Sequence, residues 1–132
     1  VRFEGRHPGD AVTTALAEKA CVMVNRNAGS GTRVLIDRLL GGRKPPGYAV
    51  QPRTHNAVAA AVAQGRADWG VTLDSVARQA GLAFIPVQHE QYDFAVPTTR
   101  ASRPVVQLFV ERPNDPATQN ALAALGMRTS GM

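Results

Sequence analysis

The chain has 132 residues, of which 44% are hydrophobic, and a net charge of +5 in which 13 of its 15 basic residues are Arg. That apolar content excludes a disordered chain, and the length is enough for a core without staples. No run approaches the roughly 18 apolar residues of a membrane-spanning helix. The positive charge favours anionic partners. The Arg residues are scattered rather than gathered in a basic arm, so a small anion is expected before nucleic acid.

Taken in order, residues 1–5 read as a short strand and His7-Pro8-Gly9 as a turn. Asp10 can cap a helix to Lys19 that places Val12, Leu16 and Ala17 on one face. The run from Ala20 to Asn25 reads as a buried strand, and its Cys21, the single cysteine, as a core thiol. A glycine-containing loop then feeds a helix over Ser30 to Leu40, with Leu35, Ile36, Leu39 and Leu40 at helical spacing and Arg33 and Asp37 as an i,i+4 pair. Gly41-Gly42 stops that helix, and Lys44-Pro45-Pro46-Gly47 is loop.

Tyr48 to Gln51 reads as a short strand, and Thr54 caps a second helix, His55 to Gln64, ended by Gly65. Ala67 to Thr72 is expected as a strand, Asp74 to Gln79 as a short helix and Leu82 to Val87 as a strand. Tyr92 to Val96 is a further apolar run ending at Pro97. Two helices close the chain, about Arg103 to Glu111 and Asp115 to Leu125. Strand alternating with helix predicts an α/β sheet with right-handed crossovers.

Several catalytic and metal patterns fail. Gly31-Thr32 is followed by Arg33 rather than by the Lys-Ser/Thr of a nucleotide phosphate loop. Ser30 has Ala28 and Thr32 where a nucleophile elbow needs glycines. His7, His55 and His89 show no metal-ligand spacing, and nothing brings Cys21 a partner. Glu90 and Asp93 read as solvated surface rather than as an acid–base pair. No residue pattern argues for an enzyme, and no cofactor or metal is expected.

The loop Asn25-Arg26-Asn27-Ala28-Gly29-Ser30-Gly31-Thr32-Arg33 differs. Ser30 can cap the helix, leaving the N–H groups of Gly31, Thr32 and Arg33 facing outward at the positive end of the helix dipole. Arg26 adds a guanidinium fork suited to an oxyanion. The second helix start, Thr54-His55, offers either a plain cap or another hydroxyl and a ring at the same sheet edge. In open α/β sheets that edge, at the strand carboxyl ends, is where ligands bind.

These residues follow one order: Asn25-Arg26-x-x-Gly-Ser-Gly-Thr-Arg33, then Thr54-His55-x-x-Val58-Ala59-x-x-Val62, then Gly65-Arg66-Ala67-Asp68-x-Gly70. Phe84-Ile85-Pro86 and Glu90-x-Tyr92-Asp93 continue it. The pattern, covering about residues 20 to 97, resembles the periplasmic-binding-protein-like domain of MoeA-type molybdopterin-biosynthesis proteins and of molybdate-responsive helix-turn-helix regulators. Leu125-Gly126 and Ser130-Gly131 fit it more loosely.

The resemblance implies a type II periplasmic-binding-protein fold, two α/β lobes flanking a ligand cleft. Residues 1–132 would form one such domain, with 20–90 as the central lobe and 91–132 as the return segment and C-terminal helices. Much of the first lobe's N-terminal half is then expected to be missing. An exposed sheet edge would invite a homodimer. Arg26, Ser30, Gly31, Thr32 and Arg33 are implied to hold the ligand from one wall, and Thr54, His55 and Tyr92 from the other. Tyr92 reads equally as a hinge or core tyrosine. Trp69 reads as core packing or as a ring lining the cleft, and Asp68 as closing a turn or capping a neighbouring element.

The implied ligand is a small oxyanion, molybdate or tungstate, or a molybdopterin-type ligand. The implied setting is molybdenum-cofactor biosynthesis or sensing, in the cytoplasm, beside a fused or partner domain upstream. Phosphate-binding members of the wider superfamily carry an acidic residue near the position of Ala28. A carboxylate there accepts a hydrogen bond from a protonated phosphate and repels a fully ionised dianion, so its absence tilts the ligand toward a fully ionised oxyanion. Two other settings fit the same resemblance: the effector-sensing domain of a transcription regulator, and an accessory domain of a molybdenum-insertase-type enzyme.

Overall fold

In the computed structural model, which describes residues 7–129, β1 (Met23–Val24) pairs in parallel with β2 (Trp69–Gly70), Met23 opposite Trp69 and Val24 opposite Gly70. The strand read over residues 1–5 lies outside the described residues. The backbone separates into two compact units, Val1–Val87 and Gln88–Met132.

In the first unit, α1 (Pro8–Ala17), α2 (Gly31–Leu40), α3 (His55–Ala63) and α4 (Asp74–Gln79) surround the two-stranded ladder. Strand side chains alternate faces. Met23 accordingly joins one core with Val12 of α1 and Ile36 and Leu40 of α2, against which Leu16, Tyr48, Trp69 and Val71 pack. Val24 joins a second core with Val58 and Ala61 of α3 and Ala67. Helices thus cover both faces of β1, as a parallel sheet requires.

Helix starts follow capping chemistry. Ser30 Oγ accepts from Arg33 N at 3.1 Å, and Thr54 Oγ1 accepts from Ala57 N at 3.1 Å. At α1 the cap is His7 rather than the expected Asp10, its Nδ1 accepting from Gly9 N at 3.2 Å. Pro8 explains the shift: its fixed φ suits the first helical position and starts the helix three residues early. Asp10 then sits in the first turn, where a negative charge meets the dipole favourably.

The strands are shorter than expected. Segment 46–52 does run beside β1, where Met23 N, Asn25 N and Asn27 N donate to the carbonyls of Pro46, Val50 and Pro52. It is folded into turns rather than extended, since Tyr48 N bonds Pro45 O and Val50 N bonds Gly47 O. Gly47 holds φ +84°, and a Cβ there would lie 1.9 Å from the Met23 carbonyl. Pro46-Gly47 therefore occupies the centre of a type II turn that presses the chain against β1. Buried Asn25 fills the irregularity, donating from Nδ2 to Tyr48 O at 3.0 Å.

Asp68 closes the lower end of the ladder. Its N–H donates to Val22 O at 2.7 Å, and its Oδ2 accepts from Val22 N at 2.7 Å. Gly70 is a close-approach position, where an added Cβ would lie 2.7 Å from both Val24 Cγ1 and Val58 Cγ1. Leu82 to Val87 forms no strand, because no described segment offers it a partner.

The second unit holds a 3-10 turn (Thr98–Arg100), α5 (Pro104–Glu111), another 3-10 turn (Arg112–Asn114) and α6 (Pro116–Ala124). Asp115 caps α6, accepting from Thr118 N at 3.0 Å. The run 92–96 forms no strand, and none of the unit's described residues is buried. Phe94 and Phe109 meet edge to face with centroids 5.0 Å apart.

Candidate functional site

Parallel pairing puts the carboxyl ends of β1 and β2 at one edge. The N-terminal turn of α3 meets them there. Arg26 stands two residues beyond Val24, and Thr72 two beyond Gly70, so the ladder register sets them side by side. Both reach His55, the first residue of α3. Arg26 Nη1 lies 3.0 Å from Nε2 and 3.1 Å from Nδ1 of the His55 ring. Thr72 Oγ1 donates to His55 O at 3.2 Å and lies 3.4 Å from Nδ1.

Arg26 is only 7% exposed. Its Nη2 donates to Arg53 O at 3.3 Å, and its buried Nε has no partner. Among the described residues no carboxylate lies within ion-pair distance of it. The main chain is fixed as firmly: Arg26 N donates to Asn25 Oδ1 at 2.9 Å, and Arg26 O accepts from Arg33 Nη1 at 3.1 Å.

The other expected residues divide by what their groups already do. Ser30 Oγ donates to Asn27 O at 3.0 Å while it accepts from Arg33 N, so its hydroxyl shapes the loop. Arg33 bonds both Asp37 oxygens from Nε at 2.9 Å, meets the Tyr48 hydroxyl through Nη2, and lies 4.6 Å from the centre of that ring. Its guanidinium braces the loop against α2. Asp37 is held below the ordinary carboxylate range by its bonds to Arg33 and then Tyr48.

Gly31 and Thr32 keep the two first-turn N–H groups that the Ser30 cap leaves over, Gly31 exposed and Thr32 buried. Thr54 is exposed and, with Oγ1 accepting from Ala57 N, retains a hydroxyl proton to donate. Tyr92 belongs to the second unit, where 59% of it is exposed.

Sequence reasoning does not single out two residues of this region. Thr72 is an ordinary residue after an apolar run, and only the register shows that it stands level with Arg26. Asn25 reads as the end of a strand, yet it is fully buried and fixes the loop's first turn. Trp69 packs against the core of Met23 and Ile36 rather than standing free. A groove lined by Leu16, Lys19, Arg43, Lys44 and Pro45 lies by the C-terminal end of α2, the far end of that helix from this loop. Basic side chains there complement the helix dipole.

What the arrangement can do is hold negative charge. It gathers a buried guanidinium, first-turn amides from two helices and a hydroxyl at one sheet edge. Among the described residues no group of three or more His, Cys, Asp or Glu could hold a metal ion. No helix among them is long and apolar enough to cross a membrane.

Comparison with known proteins agrees with a binding domain. The chain is 40% identical over 79 residues to YvgK of Bacillus subtilis strain 168, a protein described as uncharacterized. The aligned region is 56% of this chain and 26% of that relative, so the chain spans about a quarter of its length. No solved structure shows a significant match. The family model of the PBP superfamily domain matches residues 9–113, which takes in both strands, the loop from Arg26 to Arg33, His55 and Thr72. The chain therefore belongs to the PBP superfamily domain family, the periplasmic-binding-protein-like domains.

Proposed function

We propose that this domain captures a small oxyanion, with molybdate or tungstate as the leading ligands and a molybdopterin-type phosphate as the next. Family membership supports ligand binding in general. The oxyanion rests on one observation: Arg26 is a cation more than nine-tenths buried, with an unpartnered Nε and, among the described residues, no carboxylate within ion-pair distance. Burying a charge costs several kcal/mol unless an opposite charge compensates it. A carbonyl and an imidazole are weak compensation. A dianion at this edge supplies the missing charge.

The fit extends to neighbouring groups. The first-turn amides of Gly31 and Thr32 and the Thr54 hydroxyl add donors, and two helix dipoles add partial positive charge. Ser30 and Arg33 serve by holding the loop. Ala28 offers no acceptor for a proton on the anion, which favours a fully ionised ligand. The step is capture rather than bond-making, in the two-lobed type II arrangement that the resemblance implies. It suits molybdenum-cofactor biosynthesis or sensing, whether as the effector domain of a transcription regulator or as an accessory domain of a molybdenum-insertase-type enzyme.

The test is a thermal-shift series with molybdate, tungstate, sulfate and phosphate. A rise in midpoint with one or more of the dianions supports the reading. No rise with any of them overturns it.

A further inference from the structure

Two hydrogen-bonded arms leave Tyr48 and end on the two main-chain groups of Arg26. The first starts at the Tyr48 carbonyl, which accepts from Asn25 Nδ2 at 3.0 Å, while Asn25 Oδ1 accepts from Arg26 N at 2.9 Å. Asn25 is fully buried, and both ends of its amide are engaged, as burial of a polar group requires. The second arm starts at the Tyr48 hydroxyl, which donates to Asp37 Oδ1 at 2.9 Å and accepts from Arg33 Nη2. Arg33 Nε bonds both Asp37 oxygens at 2.9 Å, and Nη1 donates to Arg26 O at 3.1 Å. A guanidinium is a rigid fork, so fixing its Nε and Nη2 fixes where Nη1 points.

Tyr48 is itself anchored. It packs against the core of Met23, Ile36 and Leu40, and its N–H donates to Pro45 O at 3.0 Å in the turn that presses on β1. The core therefore sets the root of both arms, and the arms set the peptide groups from which the Arg26 side chain grows. A side chain ordered before binding loses less freedom when a ligand arrives.

We infer that Tyr48 is a positioning residue of this site: through Asn25 and Arg33 it fixes both main-chain groups of Arg26, so that the buried guanidinium is in place before an anion arrives. Tyr48 acts through Arg26 rather than by touching the anion. The effect on affinity rests on the oxyanion reading, whereas the hold on Arg26 does not.

The test pairs nitrogen-15 NMR of Arg26 Nε–H exchange with titration of molybdate, tungstate and sulfate, in wild type, Tyr48→Phe and Arg33→Lys. Tyr48→Phe keeps the ring and the carbonyl arm and loses the hydroxyl arm. Arg33→Lys keeps the charge and loses the fork. The backbone amide of Val58, buried in the other core, reports general loosening. Each variant is expected to speed Arg26 Nε–H exchange about tenfold, and to weaken binding of the dianion that wild type takes about tenfold, the scale of one hydrogen bond to a charged group. Val58 exchange is expected to stay as in wild type. An unchanged Arg26 exchange rate in either variant overturns the inference. So does a Val58 amide that speeds as much as Arg26, or an unchanged dianion affinity in either variant. A wild type that binds none of the three anions overturns the oxyanion reading, and faster Arg26 exchange in the variants then still supports the hold.

Discussion

Arg26 and Thr72 are 46 residues apart in the chain, yet each stands two positions beyond its own strand, and the pairing of Val24 with Gly70 brings both to His55. The site is thus a product of register. A one-residue slip would turn each side chain to the other face of the ladder. Whatever holds β1 against β2 therefore holds the site.

Gly70 is the tightest point of that pairing. A methyl there meets Val24 and Val58 side chains at 2.7 Å, and core overpacking of this kind costs about 1–3 kcal/mol. Gly70→Ala is expected to lower the midpoint of chemical denaturation by that amount and to weaken anion binding with it. An unchanged midpoint would show that β2 yields without cost.

Gly47 is less forgiving. Its positive φ and the 1.9 Å that would separate an added Cβ from the Met23 carbonyl leave no local adjustment. Gly47→Ala is expected to destabilise more than Gly70→Ala, measured in the same denaturation series. A smaller loss than for Gly70→Ala would contradict the turn's role in pressing segment 46–52 onto β1.

The brace of Arg33, Asp37 and Tyr48 predicts an acid dependence. Asp37 titrates below its ordinary value in the folded chain, first because of Arg33 and then Tyr48. The unfolded chain binds that proton more readily, so the stabilisation is fully present above the ordinary aspartate value. It is lost as pH falls through the lowered one. Thermal midpoints from about pH 7 to about pH 3 should fall less steeply in Asp37→Asn than in wild type. Parallel curves would show that the brace contributes nothing to stability.

Cys21 is predicted to be unreactive. Burial first, and then the charge of Asp68, raise its thiol above the ordinary value, which lowers the thiolate fraction at neutral pH. Alkylation by iodoacetamide at neutral pH should be slower in the folded protein than in the unfolded one. A faster folded-state reaction would contradict this.

Much of the helical structure was legible because its signals are local. Ser30 and Thr54 announce their helices, and Gly41 ends α2 in the left-handed region with φ 56°. The sheet was legible only in part, since a strand exists by virtue of its partner. Residues 82–87 and 92–96 have strand-like composition but no partner among the described residues, and 48–51 folds into turns beside β1. At the site, Arg26 and His55 could be named from their loops. The commitment of Arg33 to Asp37 and Tyr48, and the arrival of Thr72, depend on contacts between segments far apart in sequence.

The central claim is that the buried charge of Arg26, which no carboxylate among the described residues pairs, exists for an anion. Isothermal titration of molybdate, tungstate and sulfate into wild type and Arg26→Ala tests it most directly. Wild type is predicted to bind at least one dianion. Arg26→Ala is predicted to stay folded and to lose about 10–100-fold in affinity, as expected for a charge-assisted contact. Equal affinity in the two proteins, or no binding of any of these anions by wild type, would contradict the account.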